Sequence, residues 1–113
     1  MIKNRANAEH YQWGDQCDGW RLLDKPDLSV IEERMPPGRS EVRHYHERAR
    51  QVFVVLHGAL SIERETQRFE LRVGDSLEVP PAELHRVWND RDVDAVFLVV
   101  SAPTTRGDRR TVE

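Results

Sequence analysis

The chain has 113 residues, 33% of them charged, and a formal net charge of −3 at neutral pH, the size of one domain with room for a core that needs no disulfide staples. Its basic residues are scattered and leave no electrostatic footprint for nucleic acid, and its single cysteine, Cys17, allows no internal disulfide and implies no oxidising compartment. No apolar run approaches the ~20 residues that cross a bilayer, and the opening MIKNRANAEH lacks the apolar segment of a secretion signal, so a soluble cytoplasmic protein with no nucleic-acid or membrane partner is expected.

Residues 1–19 are polar apart from a few aromatics and read as a lead-in that packs Tyr11 and Trp13 on the body or on a partner. Cys17 reads as an incidental thiol in a loop of this segment. Strand-like runs then follow at residues 20–23, 28–35, 42–46, 52–56, 60–64, 68–73, 76–79, 85–88 and 95–101. Turn residues separate them, among them Pro36-Pro37-Gly38, Gly58, Gly74-Asp75, Pro80-Pro81 and Asn89-Asp90. Short strands with regular turns predict an all-β sandwich or barrel over residues 20–103, and no window keeps a helical period. Residues 104–113 are polar and Arg-rich; they read as a poorly ordered tail, with Arg106-Gly107-Asp108 a chance tripeptide. The runs 51–56 and 95–100 are apolar on both faces. The outer face of a small antiparallel barrel is normally wet, so a cover is expected, and a homodimer supplies it most economically.

Function is concentrated in two stretches, residues 38–58 and 74–89. His44 and His46 are two apart, so on a strand they share a face and form a chelating pair. Gln51 opens the next run and His85 opens a later one. These four side chains are predicted to converge on one divalent transition metal: Fe, Mn, Ni, Cu, Co or Zn. His10 and His57 stand outside this set and read as ordinary. Alternation places Ser40 and Val42 on the face of the histidines, Phe53 and Val55 on the face of Gln51, and Val87 and Asn89 on the face of His85, with Trp88 turned away. Phe97 and Val99 complete a mostly apolar pocket with no inward Lys or Arg. Such a pocket disfavours a sugar phosphate, which needs cationic or amide donors, and favours a small apolar, aromatic or enolic substrate. Glu32 and Glu33 are adjacent, so one of them faces inward from a regular strand, and an inward carboxylate near a metal is a candidate base; Glu33 and Gln51 are the candidate catalytic residues.

The spacing of these residues resembles the small single-domain bacterial cupins. Gly38, His44, His46, Gln51 and Gly58 follow the first cupin motif, with Gln51 where the family has Glu. Gly74, Pro80, Ala82, His85 and Asn89 follow the second, with Ala82 where the family has Gly. The resemblance implies a jelly-roll β-barrel with a metal inside, held by His44, His46, Gln51 and His85. A neutral Gln51 leaves the ion its full charge, which weakens the grip on hard ions and acidifies a bound water, and in place of a carboxylate it removes one internal base. Ala82 in place of Gly implies a turn that avoids positive φ.

These readings lead to a metal-dependent enzyme, with a dioxygenase expected first. A small-molecule-binding or sensor protein, with structural metal or none, is the alternative, and a metal-dependent isomerase or lyase is a third. The fold hosts all of these chemistries.

Overall fold

The computed structural model describes residues 2–112. No helix occurs among them, and the strands are β1 (Glu9–Trp13), β2 (Cys17–Asp24), β3 (Ser29–Met35), β4 (His44–Tyr45), β5 (Arg50–His57), β6 (Ala59–Arg64), β7 (Gln67–Arg72), β8 (Ser76–Val79), β9 (His85–Trp88), β10 (Ala95–Ala102) and β11 (Arg110–Thr111). They form two antiparallel sheets, ordered β1-β2-β3-β10-β5-β8 and β11-β4-β9-β6-β7. This is the all-β jelly-roll architecture that the two motifs imply. Strands β2 to β10 fall on the predicted runs.

Alternation explains which faces meet. In β10, Ala95, Phe97, Val99 and Ser101 are buried while Val96, Leu98 and Val100 are half-buried on the other face. β10 pairs with β3 on one side and β5 on the other, so these residues form the middle of the larger sheet. Phe97, Met35, Leu60 and Ile62 are fully buried between the sheets, and each contributes roughly 1.5–3 kcal/mol by leaving water. The β5–β6 turn requires glycine: Gly58 has φ +73°, and a Cβ there would lie 2.3 Å from the Asp94 carbonyl oxygen.

Both ends of the chain differ from the expectation. The lead-in is part of the larger sheet: β1 pairs with β2 from Glu9↔Arg21 to Trp13↔Cys17, and β2 continues onto β3. A division at residues 19–20 would cut β2. Cys17 is therefore a strand residue and fully buried, not a loop thiol, and burial pushes its pKa up to about 11. Gly19 lies opposite Tyr11 because the tyrosine ring occupies the space a Cβ would need, 2.4 Å from it. The tail is not a loose end. β11 pairs with β4, the Thr104 N–H donates to the Pro26 carbonyl at 3.0 Å, and Asp108 is buried. Polar composition misled here because a short edge strand needs backbone partners more than apolar side chains.

Ala82 also departs from its reading, since its φ is +67°. An L-residue in this region costs about 1–2 kcal/mol, and glycine avoids the clash at the expense of a floppier unfolded chain. Ala82→Gly is accordingly expected to stabilise the protein by about 0.5–1 kcal/mol, read as a higher midpoint in urea unfolding with an unchanged slope.

Candidate metal centre

The smaller sheet brings the histidines together. His44 on β4 pairs directly with His85 on β9, and His46 follows His44 by two residues on the same face. All three are buried. Their ring centroids lie 5.0 Å apart for His44–His46, 4.3 Å for His44–His85 and 5.5 Å for His46–His85. One nitrogen from each lies within 4.8 Å of the others.

The backbone decides which nitrogen is offered. The Nδ1–H of His44 donates to the Val42 carbonyl at 3.0 Å, that of His85 to the Glu83 carbonyl at 2.9 Å, and that of His46 to the Asp108 carbonyl. A carbonyl can only accept, so each Nδ1 carries the proton and each Nε2 keeps its lone pair. Burial, reinforced by the neighbouring His85, lowers the His44 pKa to about 3. Burial also lowers His85 to about 4 and moves His46 in the same direction. All three are thus neutral at pH 7, the form that binds metal.

Among the described residues, two of the five buried side-chain atoms without a hydrogen-bond partner belong to this cluster. His85 Nε2 and Gln51 Oε1 are buried and make no hydrogen bond, whereas Gln51 Nε2 donates to Ser101 Oγ at 3.1 Å. A buried acceptor with nothing to bind is rare and asks for an ion or water. The residues present therefore fit a transition metal: three neutral imidazole nitrogens, with the amide oxygen of Gln51 a candidate fourth donor. His44, His46 and Gln51 line a cavity of about 230 Å³ beside this cluster.

The rest of the lining corrects the apolar reading. Phe53, Val87 and Val99 do line the cavity, and Phe97 and Val55 sit in the packed core behind it. Val42 is 59% exposed and takes no part, and Ser40 is exposed as well. Residues 41–43 lie outside any strand, so alternation counted back from His44 slips by one position, and Glu41 turns in where Val42 was expected. The cavity is also lined by Arg21, Arg106 and Arg109, so the argument against anionic substrates falls. Arg106 is engaged by Asp24, and Arg21 stacks on the Tyr11 ring at 4.3 Å from its centroid. Arg109 lies 3.9 Å from Glu41. Trp88 points away, under Arg68 and Arg86, and Asn89 ties its loop to the Met35 and Val93 carbonyls.

Of the two adjacent glutamates, Glu32 faces outward to Arg5 and Glu33 faces the cavity. The Tyr11 hydroxyl donates to Glu33 at 3.3 Å. Burial raises the Glu33 pKa from the ordinary 4.5 to about 7, against the pull of Tyr11, Arg109 and Arg21. Glu41 was not anticipated. It accepts the Val87 N–H at 3.1 Å, and burial raises it to about 8. Because the native state holds the Glu33 proton more tightly than the unfolded chain, its contribution to stability is complete below pH 4.5 and is lost as pH rises through 7. Wild type is expected to lose up to about 3 kcal/mol relative to Glu33→Gln between pH 4 and pH 8, measured by chemical denaturation of both proteins across that range.

A model of the cupin domain matches residues 31–101, and the chain belongs to the cupin family. The uncharacterized protein MJ1618 of Methanocaldococcus jannaschii is 27% identical over 75 residues, which are 66% of this chain and 60% of that protein. The match thus spans less than two thirds of that relative. The polyketide cyclase RemF from Streptomyces resistomycificus superposes with a TM-score of 0.84 at 21% identity, covering 100% of this chain and 87% of RemF. A cupin sugar phosphate isomerase from Silicibacter pomeroyi gives 0.77 at 24% identity, covering 92% of this chain and 76% of that one. At these identities the likeness shows the fold, which is shared by unlike chemistries.

Proposed function

We propose that this protein is a metal-dependent enzyme of dioxygenase type that acts on a small enolic substrate bearing an anionic group. The observation that carries the reading is the convergence of three neutral imidazoles, each with Nδ1 pinned to a carbonyl and Nε2 free, beside the unpartnered Gln51 oxygen. A mononuclear metal held there would supply Lewis acidity or redox chemistry. Arg109 and Arg21 would orient the anionic end of the substrate, Phe53 and Val87 would exclude water from its apolar part, and the cavity of about 230 Å³ restricts it to a small molecule.

Glu33 favours a second reading, a metal-dependent isomerase or lyase. A carboxyl poised near neutrality and hydrogen-bonded to a tyrosine is suited to moving a proton on and off a substrate carbon. The test is a panel of enolic and phenolic acids offered to protein loaded in turn with Fe, Mn, Ni, Co, Cu and Zn, assayed for oxygen uptake and for product. Turnover that requires oxygen supports the dioxygenase. Turnover that persists without oxygen selects the isomerase or lyase, and binding without turnover selects the sensor. The half-buried outer face of Val52, Val54, Leu98 and Val100 supports a homodimer, for which light scattering should return the mass of two chains.

A further inference from the structure

The segment after β10 is fastened to the site more closely than its composition suggests. Asp108 is 2% exposed, although its neighbours Gly107 and Arg109 are open to solvent. Its carboxylate accepts three backbone hydrogen bonds, from the N–H of Glu47 at 2.7 Å and from those of Arg48 and Ala49 at 3.0 Å each. Those amides form the loop that links His46 to β5 and so to Gln51. The carbonyl of Asp108 accepts the Nδ1–H of His46. A single residue therefore holds both the ring of one histidine and the loop that spaces it from Gln51. β11 reinforces the hold, with Thr111 paired to His44, Arg110 paired to Tyr45, and the Val112 N–H donating to the Arg43 carbonyl at 3.0 Å.

The three histidines differ in where their partners come from. His44 and His85 each donate to a carbonyl two residues upstream, Val42 and Glu83, so their rings are set by local chain geometry. His46 donates to a carbonyl 62 residues away. Its ring partner therefore lies on the tail, which the buried Asp108 carboxylate fastens to the His46–Gln51 loop and β11 fastens to β4.

We propose that Asp108 is the positioning residue of the metal centre, clasping the His46–Gln51 loop so that the His46 Nε2 faces its partners only when the C-terminal segment is docked. This rests on the metal-centre reading above. The fold without the clasp keeps its two sheets, since the core residues lie between strands that Asp108 does not touch. Loss of partners that orient a ligand typically lowers metal affinity by 10–100-fold.

The test compares full-length wild type with Asp108→Ala and Asp108→Asn. Long-range nitrogen–proton spectra of the metal-free proteins report each imidazole tautomer, and competition with a chelator reports affinity for zinc and nickel ions. Wild type should show the Nδ1–H form at all three histidines. The variants should lose it at His46 alone, keep it at His44 and His85, and bind zinc and nickel about 10–100-fold more weakly. A fixed Nδ1–H form at His46 in the variants, or affinity within twofold of wild type, overturns the proposal. If neither variant folds, wild type decides: the His46 Nδ1–H and the amides of residues 47–49 must be protected from exchange, and free exchange overturns it. If wild type binds no metal, the metal-centre reading fails, and the tautomer comparison still decides the role of Asp108.

Discussion

Wild-type protein is expected to carry or take up one divalent transition metal per chain, and His85→Ala to lose it. His85 lies at the convergence of the set: it pairs with His44 across the sheet, and its Nε2 is buried with no partner. Removing it takes away one of three nitrogen donors, which should weaken binding by more than the ~10–100-fold that follows loss of an outer partner. The apo fold should change little. The deleted imidazole is neutral, as burial dictates, so no charge is stranded, and the lost packing is partly offset by removal of an unsatisfied nitrogen. Elemental analysis after purification, with reconstitution of chelator-treated protein, measures the effect, and unchanged far-ultraviolet circular dichroism excludes simple unfolding. Metal retained by His85→Ala would move the site elsewhere. A wild type that neither carries nor accepts metal would make Gln51 the mark of a retired centre.

The parts of this molecule that were legible in sequence are those where local pattern and tertiary role coincide. His44, His46 and His85 are recognisable because strand alternation puts the first two on one face and the third begins a run of its own. Gln51, Phe53 and Val87 line the cavity, on the faces the same alternation gives them, whereas Val55 and Phe97 lie in the packed core behind it. Alternation fails at Val42, because residues 41–43 are not strand, and the error of one position hides the buried Glu41. The cavity's polar wall was invisible for a different reason. Tyr11, Thr105, Arg106 and Arg109 reach it from the two chain ends, which look like lead-in and tail because their strands are short or polar, and Arg21 reaches it from β2, within the predicted run 20–23. Asp108 is the extreme case. Three backbone amides tens of residues away give it a buried role, and no window around it carries that information. Ala82 shows the opposite limit: where the motif has Gly, this alanine still takes a positive φ, +67°, so the residue type misreported the backbone.

Gln51→Glu is expected to pull metal affinity and apo stability in opposite directions. In the wild type the buried amide donates to Ser101 and leaves its oxygen unpartnered. A carboxylate in the same place can still be hydrogen-bonded, because the Ser101 hydroxyl can rotate to donate. Without metal it is nevertheless a buried acid among neutral imidazoles. Burial disfavours its charge, so its folded pKa rises, and the variant should lose about 1–3 kcal/mol of apo stability as pH rises from 4 to 8. With metal the same charge faces a divalent cation that three neutral imidazoles leave uncompensated. Affinity should then rise at least about tenfold, equivalent to about 1.4 kcal/mol. The result is a larger gap between the melting temperatures of apo and loaded protein in Gln51→Glu than in wild type, because ligand binding stabilises in proportion to the logarithm of concentration over Kd. Thermal melts with and without zinc, alongside chelator competition, measure both effects. Equal or weaker affinity in the variant would place the Gln51 oxygen away from the ion and reduce the centre to its three histidines.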